Sequence, residues 1–211
     1  WYLSNAILNN MNRQLISDFL HKFLLFILVL GWTAIFISLF FINTNLRPYG
    51  LEMGNWAIRF LWLTSLPGIL KRYRVTGIFQ NIQIVFMRSR RRLGDTMFTF
   101  AVMHYLWNSL FFNIKFGINY LPLPGQTPLF KIMGFLGLFI LIPLFITSNN
   151  FSVKFLKVWW TRIHKLVYVT MWLIAFHVAL QGLIVESVIT FAIAILQLTS
   201  WIYYKNSNAQ E

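Results

Sequence analysis

The sequence contains no cysteine and few charged residues, and each shortage excludes classes of function. Without cysteine, the chain has no disulfides, thiolate-ligated metals, iron–sulfur clusters or cysteine nucleophiles, which leaves histidine as the main cofactor ligand. Charged residues make up 11% of the 211 residues, whereas hydrophobic residues make up 58%. A soluble domain of this length is far less apolar, so the composition predicts an integral membrane protein.

Acidic residues are also scarce, with 5 Asp and Glu against 18 Lys and Arg and a net charge of +13. A charge of this size can indicate nucleic-acid binding, but here the basic residues lie between long apolar runs instead of on one polar face. We therefore expect a lipid membrane as a partner and no nucleic acid.

Six apolar runs predict membrane-spanning helices. A helix needs roughly 20 apolar residues to cross a hydrocarbon core of about 30 Å, and the alternating pattern of barrel strands is absent. The runs lie near residues 19–42, 56–70, 96–116, 129–146, 158–183 and 188–204. They predict an all-α protein with a single transmembrane domain over residues 1–211, built as a six-helix bundle. The second run is short and contains Arg59 and Pro67, which predicts a kinked or partly embedded helix.

The basic residues predict the orientation of these helices. Seven of the 18 Lys and Arg residues lie in the segment 71–94, and four more lie between 154 and 165. These segments contain the predicted loops after the second and fourth helices. By the positive-inside rule, both loops and both termini face the inside, as in a multi-pass protein of the bacterial inner membrane. The proline-containing segment 119–128 then becomes an external loop.

All four histidines lie on the helices that run from inside to outside: His21, His104, His164 and His177. Ionisable groups within membrane spans are costly, so several together favour a functional role over simple packing. In one continuous helix, His164 and His177 are about 20 Å apart along the axis and about 140° apart around it, so one metal ion cannot bind both. Their depths permit an outer pair, His104 with His177, and an inner pair, His21 with His164.

Two imidazoles from facing helices are a common way to hold a haem iron within a helical bundle. Zinc fits less well, because its histidine sites usually need three or four ligands at one place. The residues alone leave two other classes open. These are a transporter in which histidines relay protons or bind a metal ion, and a non-catalytic subunit of a larger membrane complex.

Two motifs carry a resemblance to a known family. The stretch "RRRLGDTMFTFAVMH" (90–104) places a histidine ten residues after Gly94, and "TSNNFSVKFLKVWWTRIHKLVY" (147–168) is followed by a second histidine at 177. Weaker similarity covers "GNWAIRFLWLTSLP" (54–67). The chain resembles the ferric-reductase-like transmembrane domain family, and within it the haem-binding membrane subunits of methionine-sulfoxide reductase systems.

The resemblance implies a b-type cytochrome that carries one or two haem b groups. His104 and His177 are then the axial ligands of one haem iron, and His164 is a further metal ligand, whereas His21 lies outside the motifs. The family implies electrons from a quinol or a flavin such as FMN on the inner side. They pass to an outer-side acceptor, such as a periplasmic reductase or another part of a larger membrane complex.

Basic residues near the motifs are candidates for binding the acidic groups of a cofactor. Arg91 and Arg162, with Arg90 and Arg92, could pair with haem propionates or a flavin phosphate, because guanidinium groups bind carboxylates and phosphates through two hydrogen bonds. The alternative is that they only set the topology and contact anionic lipid head groups.

Four glycines, Gly31, Gly94, Gly134 and Gly137, are candidates for close approach of a helix or a macrocycle. Small residues are ordinary packing devices between membrane helices, so this pattern alone does not indicate a cofactor site.

Overall fold

The computed structural model describes residues 2–42, 44–116 and 127–209, with side chains described for 11–42, 44–115 and 127–209. Within these ranges all regular structure is helical, which confirms the all-α prediction for this part of the chain. The helices are α1 (Tyr2–Ser38), α2 (Arg47–Arg72), α3 (Ile78–Tyr105), α4 (Phe111–Phe116), α5 (Leu129–Ile146), α6 (Asn150–Leu156), α7 (Val158–His164), α8 (Val167–Ala179) and α9 (Ile184–Asn208). A 3₁₀ turn, Leu39–Phe41, follows α1, and a π-helical turn, Leu106–Leu110, joins α3 to α4.

Three of these helices are long and apolar enough to cross a membrane: Met11–Phe41, Leu129–Ile146 and Ile184–Asn208. Many of their large apolar side chains are exposed, for example Phe40 and Ile184, each at 74%. This agrees with the predicted transmembrane class, whereas the number of six spans stays a prediction. The predicted external loop 119–128 lies mostly outside the described residues.

The segment 71–94, which the sequence predicts as a basic loop, is largely helical. Helix α3 begins at Ile78, and Val85, Ser89 and Leu93 are buried at four-residue spacing along it. A buried stripe at this spacing is typical of a helix that packs on one face and carries polar residues on the other. The prediction of a loop was wrong here, because basic residues mark a membrane boundary without ending a helix.

The predicted fifth span, 158–183, is divided between α7 and α8. At the junction the backbone N–H groups of Leu166 and Tyr168 donate to the carbonyls three residues earlier, those of Ile163 and Lys165, at 2.9 and 3.0 Å. Bonds of this i→i+3 type tighten the chain into a turn. His164 and His177 are therefore on separate helices, and the prediction of one continuous helix was wrong.

Two helix pairs form the frame of the fold. Helix α2 packs along α3, which also packs against α1, and α5 packs along α8, which also packs against α9. The pairs meet in one apolar core formed by Leu24, Phe60, Leu61, Leu93, Met97, Phe98, Leu141, Leu144, Met171 and Ala194. Helix α2 is longer than the predicted second span and continues through Pro67 for 26 residues in all.

Candidate functional site

A cavity of about 680 Å³ lies between α2, α3, α5 and α8. Its apolar walls include Ile58, Leu61, Met97, Leu138 and Leu141, and its polar lining includes both histidines of the predicted outer pair. Cavities of roughly 300–1,000 Å³ with apolar walls and a few placed polar groups are typical of small-molecule and cofactor sites.

His104 lies in the last turn of α3, where its partly buried ring contacts α2. Its Nδ1 atom is 2.8 Å from the carbonyl oxygen of Gly50. A carbonyl only accepts hydrogen bonds, so Nδ1 carries the proton and donates it. In a neutral imidazole this leaves the electron pair on Nε2 available to a metal ion.

His177, on α8, has the same arrangement with α5. Its Nδ1 atom is 2.6 Å from the carbonyl oxygen of Phe130, so Nδ1 again donates and Nε2 carries the electron pair. The side-chain amide of Gln181, one turn further along the chain, donates to this Nε2 at 2.9 Å. A metal ion bound at Nε2 would have to take the place of that amide.

The two imidazole rings lie next to each other across the cavity. Their centroids are 6.2 Å apart and their planes are inclined at 78°. Two bonds of about 2 Å from imidazole nitrogens to one metal ion, added to the two ring radii, account for about this separation. The structure thus brings His104 and His177 together, and these are the two residues that could hold one metal ion between them.

His164 lies apart from this cavity, at the end of α7. Its ring stacks on Trp160 with centroids 4.2 Å apart, and its Nε2 atom is 3.1 Å from Oγ1 of Thr147. The Thr147 hydroxyl donates its one proton to the carbonyl of Pro143 at 2.6 Å. Nε2 of His164 therefore donates to Thr147, and in the neutral ring the electron pair lies on Nδ1.

The contacts of His164 are with Thr147 and Trp160, and within the described residues no contact joins it to His21, so the inner pair stays a prediction. His21 is exposed on α1, and within the described residues it makes no hydrogen bond, ion pair or ring contact. Helix α1 packs mainly on α3, whereas His164 belongs to α7. Among the described residues, no group of three or more His, Asp or Glu side chains converges as a metal site.

The two arginines predicted to bind acidic cofactor groups lie outside the cavity. Arg91 donates to the side-chain oxygen of Asn150 at 2.8 Å, and Arg162 lies over the ring of Trp159 at 4.8 Å from its centroid. Both arginines are exposed. Their positions suit the head-group region of a membrane as well as a cofactor edge, so both explanations given above stay open.

A buried carboxyl marks the beginning of the third predicted span. Burial raises the pKa of Asp95, whereas a hydrogen bond from Ser148 and the charges of Arg92 and Arg91 oppose the rise. Nη1 of Arg92 lies 3.7 Å from the carboxylate, one helical turn before it. Asp95 thus connects α3 to the segment after α5.

Sequence reasoning missed Gln181 and Gly54 as residues of this site. Gln181 follows His177 by four residues, a spacing that places two helical side chains on one face, so this spacing could have indicated the contact. A methyl group built on Gly54 would lie 2.6 Å from Nδ1 of His104, a contact between helices that no local spacing encodes. Of the four glycines flagged from the sequence, Gly94 has no atom near the position of an added methyl group.

Comparison with known proteins gives relatives among bacterial heme-binding subunits. The chain is 34% identical over 126 residues to the protein-methionine-sulfoxide reductase heme-binding subunit MsrQ of Brucella anthropi, which covers 58% of this chain and 52% of that protein. It is 36% identical over 120 residues to MsrQ of Brucella ovis and of Brucella suis, covering 56% of this chain and 49% of each relative.

No protein-family model and no solved structure matches the chain. The chain spans about half the length of the curated relatives that it matches. The resemblance predicted from the two histidine motifs is confirmed, because the chain is similar to proteins named MsrQ over somewhat more than half of its own length.

Proposed function

We propose that the chain is a membrane b-type cytochrome in which His104 and His177 are the axial ligands of a haem b. The observation that carries this proposal is the pair of imidazoles, 6.2 Å apart across one cavity, each with Nδ1 bonded to a backbone carbonyl. The relatives are named as haem-binding subunits, which supports the same cofactor.

The residues around the cavity fit a haem in their chemistry. Two neutral imidazoles with available Nε2 electron pairs suit iron, and apolar walls such as Leu61 and Leu141 suit a flat hydrophobic macrocycle. The amide of Gln181 has to leave Nε2 of His177 first. When bound, haem b supplies one-electron exchange between the ferric and ferrous states of its iron.

The chain's own residues determine what such a group does. The carbonyls of Gly50 and Phe130 fix the tautomer and the plane of both rings, which is the usual contribution of hydrogen bonds behind metal-binding histidines. Two histidine ligands would leave an iron ion without an open coordination position, which would favour electron transfer over oxygen or substrate chemistry. The apolar walls limit the access of water.

Electrons, in this proposal, come from a quinol or a flavin such as FMN on the inner side and go to an acceptor on the outer side. The relatives are named as subunits of a methionine-sulfoxide reductase, which favours a soluble reductase as the acceptor. The proposal includes six spans with both termini inside, in a bacterial inner membrane. The basic segments 71–94 and 154–165 support that orientation.

His164 is proposed as a further ligand, serving a second haem or electron uptake on the inner side. Because Nε2 of His164 donates to Thr147, ligation needs either Nδ1 or the loss of this hydrogen bond. Arg91 and Arg162 are proposed to contact the acidic groups of a cofactor, since both carry exposed guanidinium groups that can bind carboxylates and phosphates.

Optical spectroscopy of the purified chain, prepared with haem available, tests the proposal. We expect a reduced-minus-oxidised b-type band in the wild type, with loss of the six-coordinate low-spin spectrum in His104→Ala and in His177→Ala. His21→Ala is the matched control, because that ring is exposed and outside the cavity. A wild type without a b-type band contradicts the function, and a full six-coordinate spectrum in both variants contradicts the pairing. Haem-independent solute flux in liposomes would favour a transporter instead.

A further inference from the structure

Each histidine of the outer pair lies against a glycine of the neighbouring helix. A methyl group built on Gly54 would lie 2.6 Å from Nδ1 and 2.9 Å from Cε1 of His104. One built on Gly134 would lie 2.7 Å from both Nδ1 and Cε1 of His177. Real side-chain carbons do not approach ring atoms this closely, so any residue other than glycine would displace the imidazole.

The carbonyl that each histidine contacts belongs to the residue four before that glycine. His104 donates to Gly50, four residues before Gly54, and His177 donates to Phe130, four residues before Gly134. In an α-helix each side chain leans towards the N-terminus and covers the turn before its own Cα atom. A glycine therefore leaves the carbonyl one turn earlier open to a group from outside the helix.

We propose that Gly54 and Gly134 are positioning residues for the two haem ligands, each by leaving one helix carbonyl open to the Nδ1–H group of a histidine. The inference rests on the proposed function for the identity of the metal. The contacts of the two glycines and the two histidines do not depend on it, because they are present in the chain without haem. Both glycines lie in the first half of a helix that precedes its histidine helix along the chain: α2 before α3, and α5 before α8. The same device thus serves each side of the cavity.

Other glycines in the described helices differ from these two. An added methyl group at Gly94 meets nothing within 4 Å, and at Gly68 it meets only the flexible end of Arg72 at 3.9 Å. At Gly31 it meets the side chain of Thr99 at 2.7 Å, which is a packing contact. Close approach to an imidazole that is also bonded to a neighbouring carbonyl occurs at Gly54 and Gly134.

Alanine substitution tests the inference, with two glycines as controls. Gly54→Ala and Gly134→Ala add one methyl group each, and Gly68→Ala on α2 and Gly94→Ala on α3 add the same group where there is space. Losing an interaction behind a metal-binding residue typically lowers affinity by 10–100-fold. We expect a loss of haem affinity of about this size in the first two variants, with a shift from low-spin towards high-spin spectra. The two controls should bind haem as the wild type does.

A second measurement uses the protein without haem. Histidine ¹⁵N chemical shifts report which ring nitrogen carries the proton, so we expect Gly54→Ala to move the His104 signals away from the Nδ1–H form. The His177 signals should move in Gly134→Ala and stay unchanged in Gly54→Ala. Wild-type shifts and haem affinity in both variants would overturn the inference. If the wild type binds no haem, the proposed function fails, and the ¹⁵N shifts still decide the role of the glycines.

A folding control completes the design. Alanine is a better helix former than glycine, so a loss of folding in Gly54→Ala would come from the contact with its neighbour and not from the helix itself. The double variant Gly54→Ala with His104→Ala removes that neighbour. Recovery of a monodisperse, helical protein in the double variant supports the inference. Failure to recover would overturn it, because the added methyl group would then clash with a group other than His104.

Discussion

The hydrogen bond from Gln181 to His177 leads to a prediction about haem uptake. The Gln181 amide donates to Nε2 of His177 at 2.9 Å, and this nitrogen is the proposed iron ligand. A typical hydrogen bond contributes about 0.5–1.5 kcal/mol net, which corresponds to roughly a two- to twelve-fold change in an equilibrium constant. Gln181 is exposed, so water competes for the same nitrogen and the lower part of this range applies. We expect Gln181→Leu to bind haem about two- to four-fold more tightly than the wild type.

Haem titration of the apoprotein in detergent, followed by the Soret absorbance, measures this difference. Gln14→Leu is a matched control, because Gln14 is exposed on α1 and lies outside the cavity. If the variant binds haem faster but loses it at the wild-type rate, the tighter binding comes from removing the hydrogen bond that occupies Nε2 of His177 before haem binds. Weaker haem binding in Gln181→Leu would refute the reasoning, since it would mean that the amide contacts the bound haem instead of competing with it.

Two further predictions concern Arg72 and His164. Arg72→Met should lower the unfolding free energy by about 2 kcal/mol, because Nε and Nη1 of Arg72 donate at 2.9 Å to Ser200 and Tyr168 and so join α2 to α9 and α8. Thermal unfolding in detergent should show a melting temperature several degrees lower for Arg72→Met than for the wild type. The control Lys71→Met, at an adjacent exposed residue, should keep the wild-type melting temperature. Equal melting temperatures of the two variants would contradict the prediction. His164→Ala should keep the haem held by His104 and His177, because His164 lies outside their cavity. Pyridine haemochrome assays should then show either an unchanged haem-to-protein ratio or the loss of one haem of two; loss of all haem would be inconsistent with separate sites.

The sequence predicts the membrane class and the neighbours His104 and His177 because both depend on simple distances. Apolar runs need only reach the thickness of the hydrocarbon core, and the depth of a residue follows from the rise of 1.5 Å per helical residue. The two histidine rings are indeed in contact across the cavity. The same argument leaves the pair of His21 with His164 as a prediction, because depth along a helix says nothing about which helices are neighbours.

Helix ends were harder to predict than helices. The interruption between α7 and α8 contains neither glycine nor proline, and two i→i+3 hydrogen bonds produce it at Leu166 and Tyr168. Helix α3 starts at Ile78 and continues through the arginines between 88 and 92, because nothing in a row of arginines prevents helical hydrogen bonding. In both cases the apolar and basic residues predict a boundary of the membrane, and such a boundary need not coincide with the beginning or the end of a helix.

The positions of Gly54 and Gly134 explain why two similar histidine sites share so little local sequence. His104 stands in "VMHYLW" and His177 in "AFHVAL", and these stretches have no obvious motif in common. Their similarity lies in the partner helix, where a glycine leaves open the carbonyl four residues earlier. Any residue can supply a backbone carbonyl, as Gly50 and Phe130 illustrate, so the acceptor has no signature in the sequence. The open space above the carbonyl shows in the sequence only as a glycine. Such a site can be recognised once it is known which residues of the two helices lie opposite each other. The histidine is on one helix, and the glycine and the carbonyl are on the other, so no spacing along the chain defines the site.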